Sequence, residues 1–201
     1  MAINLANNNS LANITALPSS ISGGAMTLLA TQTASGSATL SFTSGIDDTY
    51  DKYVFKFINI HPATDSQYFS FQGSTNGGST YATTVTTTDF AAYHNESDSA
   101  SGLGYETGAD QAQGTAFIKI SNTVGNGADE SCVGYLNLYN PSSTTFVKHF
   151  INRSQTYQAT DYSVDEYKAG YFNTTSAINA VQFKFASGNI DSGVIKLYGI
   201  S

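Results

Sequence analysis

A chain of 201 residues with 40% apolar side chains is long enough to bury a sizeable core, as one large β domain or two small ones. Its net charge of −7 and eight singly scattered basic residues exclude a surface that tracks nucleic-acid phosphates. Only 11% of residues are charged, so Ser, Thr, Asn and Gly cover the surface, a composition suited to sheets and close assemblies. No apolar run approaches the ~18 residues of a membrane span. The opening MAINLANNNS lacks the basic and apolar regions of a secretory signal. Cys132 is the single cysteine, which leaves no internal disulfide; its strand-like setting, SCVGYLNLY, predicts a buried, inert thiol.

Residues 1–24 differ from the rest. They carry no charged side chain, and aliphatic residues recur at Ile3, Leu5, Leu11, Ile14, Leu17 and Ile21. Pro18 and the Asn and Ser content oppose a helix. The reading is an extended anchoring arm, closed by Gly23-Gly24, ahead of a β domain over residues 25–201.

From residue 25 the pattern is β. Alternating runs at 25–32 and 37–43 are joined at Ser35-Gly36. Tyr53, Phe55 and Phe57 oppose Val54, Lys56 and Ile58 along 53–60. A run at 67–72 leads through the Gly-rich STNGGS, which has hairpin chemistry, into 81–87. Residues 89–114 break the rhythm and read as a long inserted loop holding Asp89, Glu96, Asp98, Glu106 and Asp110. Strands resume at 115–121, 131–139, 144–151, 154–159, 166–172, 181–185 and 194–198. In the last of these, Val194, Lys196 and Tyr198 take one face and Ile195 and Leu197 the other, which predicts an inner strand rather than a free end. Eleven or twelve short strands without a capped helical period predict an all-β, antiparallel β-sandwich or jelly roll with an extended N-terminal arm.

Catalytic patterns are missing: there is no G-x-S-x-G, H-E-x-x-H, P-loop or C-x-x-C. His61, His94 and His149 lie far apart, and His149, between Lys148 and Phe150, reads as a core or interface histidine. Hard oxygen ligands at Glu96, Asp98, Glu106 or Asp110 would suit Ca²⁺, but their spacing matches no known loop and a solvated acidic loop is the simpler reading. No cofactor, metal or catalytic residue is assigned. Tyr93, Tyr105, Tyr157, Tyr162 and Tyr167 fall among polar residues and are candidates for a ligand surface or a subunit interface.

Five runs carry a family likeness. They are residues 42–65 (FTSGIDDTYDKYVFKFINIHPATD), 91–117, 138–151, 172–200 (FNTTSAINAVQFKFASGNIDSGVIKLYGI) and the leading NITALPSSISGG. Over nearly its whole length the chain resembles small virion proteins of marine tailed bacteriophages, including cyanophages. The resemblance implies a non-enzymatic structural component of the particle, assembled in the host cytoplasm, on capsid or tail. Its implied partners are other virion proteins and further copies of itself, with a homotrimer expected, and neither nucleic acid nor membrane. The alternative is a fibre-tip protein that binds a host receptor or glycan; a glycan-degrading enzyme ranks third.

Overall fold

The computed structural model describes residues 26–201. These form β1 (Thr27–Ser37), β2 (Leu40–Phe42), β3 (Lys52–Pro62), β4 (Gln67–Ser74), β5 (Val85–Asn95), β6 (Ser101–Tyr105), β7 (Ile118–Val124), β8 (Cys132–Tyr139), β9 (Lys148–Gln158), β10 (Tyr162–Phe172), β11 (Ala180–Phe185) and β12 (Ile190–Ile200). All pairings are antiparallel, and the described residues contain no helix. The fold is therefore the all-β sandwich that the alternation predicts.

Eight strands run in the order β1-β12-β3-β8-β9-β10-β5-β6, and a second layer runs β7-β4-β11-β2. One residue pair, Val124 with Gln158, stitches the layers together on the β7 side. This order does not by itself make the sandwich a jelly roll. Between the layers lies a phenylalanine core. Phe183 of β11 contacts Phe42, Phe55, Phe69 and Phe71, with ring centroids 5.3–6.2 Å apart. Phe57 meets Phe69, and Phe71 meets Phe150 and Phe172. Edge-to-face and offset contacts of this kind add about 0.5–1.5 kcal/mol per pair to the burial itself.

The strand at 194–198 extends to β12 and is an inner strand, paired with β1 on one side and β3 on the other. Ile195 and Leu197 are fully buried, while Val194, Lys196 and Tyr198 are half-buried on the opposite face. The β3–β12 register shifts twice near Gly193, and the β3–β8 register shifts once between Phe57 and Ile60. Gly193 has φ +121°, and a Cβ there would stand 2.7 Å from the Asn59 carbonyl oxygen, so only glycine fits this bulge.

Several expectations are corrected. Residues 89–114 are not one loop: β5 and β6 occupy most of their first half. The deception is compositional, because Thr, Ala, Gly and Ser fill a strand face that touches solvent. STNGGS does make a tight turn, with Gly77 and Gly78 at positive φ, but it closes no hairpin, since β4 pairs with β11 and β7. Ser35-Gly36 lies within β1 rather than at its end, and the runs at 144–151 and 154–159 meet in the single strand β9. His149 is exposed; its neighbour Lys148 is the buried one, and its ammonium donates to the carbonyls of Phe146 and Thr174 at 2.9 and 3.1 Å. Burial lowers the Lys148 pKa. Cys132 is buried, and burial raises its thiol pKa strongly, which makes it inert as read. The anchoring-arm residues Ile3, Leu5, Leu11, Ile14, Leu17 and Ile21 lie outside the described residues.

Candidate interaction face

The eight-stranded sheet has one face on the core and one toward solvent. Its solvent face carries several large, exposed apolar and aromatic side chains. Leu28 and Ile58 lie toward β1, Tyr135 and Ile151 near the centre, and Phe90, Leu103 and Tyr105 toward β6; Leu103 is 72% exposed. Residues directly opposite across an antiparallel ladder share a face. The register therefore sets Tyr105, Phe90, Tyr167, Arg153, Tyr135 and Lys56 in one line across six strands.

The centre of that line is held rigidly. Phe90 and Tyr167 stack with centroids 4.9 Å apart and planes within 2°. The Arg153 guanidinium covers the Tyr167 ring at 4.7 Å. Arg153 also donates two parallel hydrogen bonds to Asp165, Nε to Oδ1 at 3.0 Å and Nη2 to Oδ2 at 2.7 Å. Those bonds hold the Asp165 carboxyl below its usual pKa and raise that of Arg153. Tyr167 is shifted up, first by desolvation and then by the neighbouring Asp165 carboxylate. Tyr105 is shifted up by donating to Asp110 Oδ2 at 2.7 Å. Beyond Tyr135 the face turns basic: Lys56 sits over Tyr198 at 5.5 Å and Lys52 over Tyr139 at 6.0 Å, with Lys196 directly opposite Lys56.

The five sequence-selected tyrosines separate into three places, all on strands rather than loops. Tyr105 and Tyr167 join the aromatic line. Tyr93 and Tyr162 meet each other, centroids 5.8 Å apart, in a cleft of about 290 Å³ that Glu106 and Gln158 also line. Tyr157 stands in a cleft of about 370 Å³ at one end of the sandwich with His94, Glu96, Asp129 and Gln155. Its hydroxyl donates to Asp161 Oδ1 at 3.4 Å, and the nearby carboxylates, Glu96 first, push its phenol up to about 12. Phe90, Leu103, Tyr135 and Arg153 were missed. Phe90 and Leu103 sit inside the stretch read as a loop, and Arg153 fell between two strands that are one. Strict alternation through 148–158 is the signal that would have found it.

The acidic candidates are not gathered. Asp98 bonds His94 at 3.0 Å in the β5–β6 turn, whereas Asp110 bonds Tyr105 after β6. Among the described residues, no group of three His, Cys, Asp or Glu side chains is placed to hold a metal ion. The histidines stay apart: His61 bonds the Glu130 carbonyl at 2.7 Å, His94 bonds Asp98, and His149 contacts Tyr171.

Comparison with family models, with curated proteins and with solved structures gives no match to this chain.

Proposed function

We propose that this protein is a structural, non-enzymatic virion component of a tailed bacteriophage. In this reading it joins the capsid or tail through residues 1–24 and decorates or stabilises the particle as a homo-oligomer. The observation that carries the reading is the apolar, rigidified solvent face of the eight-stranded sheet. Monomeric proteins rarely expose contiguous apolar patches larger than a few hundred Å². Rigid Tyr, Phe and Arg side chains are the composition of interface anchors. The partner would be a second copy. Lys52, Lys56 and Lys196 on this face enter no ion pair among the described residues. The loops at one end of the sandwich, with the start of β12, carry Asp65, Glu96, Asp98, Asp129, Glu130, Asp161 and Asp191. The basic part of this face and the acidic end favour head-to-side contacts, which close into rings where the rotation between copies permits. The similarity to marine phage virion proteins points the same way.

The test is particle incorporation together with solution mass. Deletion of residues 1–24 should abolish incorporation, and Ile151→Glu should reduce the oligomer to monomers by light scattering. Incorporation of the truncated chain, or a monomeric wild type, defeats the reading. A second reading, host-glycan binding, rests on the end cleft around Tyr157, where an aromatic ring stands among hydrogen-bonding groups. It requires binding to host cells or a glycan array that is lost in Tyr157→Ala.

A further inference from the structure

Three ionisable side chains are sealed inside the β5–β10 wing. Asp89 on β5 and Lys168 on β10 are directly opposite in the ladder. Glu166 lies two residues before Lys168 and on the same inward face. The side chains of Asp89 and Lys168 are fully buried and that of Glu166 nearly so. Lys168 Nζ is 2.6 Å from Asp89 Oδ2, 2.9 Å from the Ala109 carbonyl oxygen and 3.9 Å from Glu166 Oε1. Asp89 Oδ1 and Glu166 Oε1 accept no hydrogen bond. Burial, and next the neighbouring Asp89, push the Glu166 carboxyl up to about 8, so it keeps its proton at neutral pH. Burial also raises Asp89. An amine, a carboxyl and a protonated second carboxyl are thus held together away from water.

We propose that Lys168 and Asp89 become joined by an isopeptide bond, made by the folded chain itself with Glu166 as proton carrier. A proton first passes from Nζ to the Asp89 carboxylate across their contact, leaving a neutral amine and a carboxylic acid. The nitrogen lone pair attacks Asp89 Cγ and the C–N bond forms. Glu166 gives its proton to the Asp89 oxygen that departs and recovers one from the nitrogen. The C–O bond breaks and one water leaves. Glu166 ends as it began, and no oxidant, reductant or activating group is consumed.

Three physical features favour the step. Burying an ion pair is costly, and amide formation removes both charges from the interior. Reacting groups fixed at contact distance gain effective molarities of order 10⁵ M or more. The product also accounts for the surrounding polar atoms. The remaining N–H of the new amide points at the Ala109 carbonyl, and the protonated Glu166 donates to the new amide oxygen.

The test is the intact mass of the full-length chain, unfolded in denaturant. The wild type should be lighter than its sequence by one water. Trypsin should fail to cut after Lys168 and should release residues 57–119 joined to residues 154–184 as one branched species. Lys168→Arg and Glu166→Gln should have their unmodified masses, with folding checked by circular dichroism. A wild-type mass equal to that of the plain sequence overturns the proposal whether or not the variants fold. A branched peptide that persists in Glu166→Gln overturns the role given to that carboxyl.

Discussion

The inward side of the large sheet is two regions of opposite chemistry. Under β3 and β12 it presents Phe55, Phe57, Ile195 and Leu197 to the phenylalanines of the second layer. Under β9, β10 and β5 it presents Asn152, Ser154, Thr156, Glu166, Lys168 and Asp89, equally buried. The first region is held by area removed from water, which needs only rough complementarity. The second is held by named partners, so losing one member strands the others. Asn152 Oδ1, Ser154 Oγ and Thr156 Oγ1 already lack partners there. Burial alone therefore says little about how a residue contributes.

The contrast can be broken at graded points. The largest effect is expected from ending the chain after Gly193, which removes most of β12 from between β1 and β3. That product should be insoluble or unfolded by circular dichroism, and normal folding would make the strand dispensable. Next, Phe183→Ala should cost about 3–5 kcal/mol in denaturant unfolding, because four ring contacts vanish into a cavity. Lys168→Met should cost a similar ~3–5 kcal/mol by leaving the Asp89 carboxyl buried without its partner. The double variant Lys168→Met with Asp89→Leu should recover much of that loss. No such rescue is available to Phe183, and a double variant as unstable as the single one would erase the distinction.

A smaller effect follows from pH. Glu166 has a pKa near 8 in the fold against an ordinary 4.5. Between those values the folded chain holds a proton that the unfolded chain releases. Stability is therefore greatest at the acid side of this window and falls as pH rises through 8. Glu166→Gln should flatten that decline between pH 5 and 9 in thermal unfolding, and an unchanged slope would place its cause elsewhere. The smallest effect belongs to the outer face. Arg153→Ala should cost about 1 kcal/mol or less, since the Arg153–Asp165 pair is solvent-accessible.

The phenylalanine region was legible in sequence because apolar alternation along 53–60, 181–185 and 194–198 points one way only. The polar wing was not. Along β10, SVDEYKAGYF sets acids side by side at 165–166 and aromatics at 171–172, and the intuitive assignment turns Tyr167 inward and Glu166 and Lys168 outward. The fold does the reverse. Nothing local to β10 reveals this, because Asp89 lies far away in sequence and within a stretch whose composition resembles a loop. The aromatic line was half legible: Tyr105 and Tyr167 were singled out, but Phe90, Arg153 and Tyr135 join them only through register. Register depends on pairing partners that composition does not encode.

The position of β12 bears on kinetics as well as on packing. Its neighbours β1 and β3 come from the opposite end of the described chain, and β11 likewise pairs with β2. Such pairings demand closure of nearly the largest loops the domain can form before any contact repays the entropy. Until β12 arrives, β1 and β3 each keep an open edge, able to accept a strand from another molecule. Refolding should therefore be slow, in the range of milliseconds to seconds or longer, and its yield should fall as protein concentration rises.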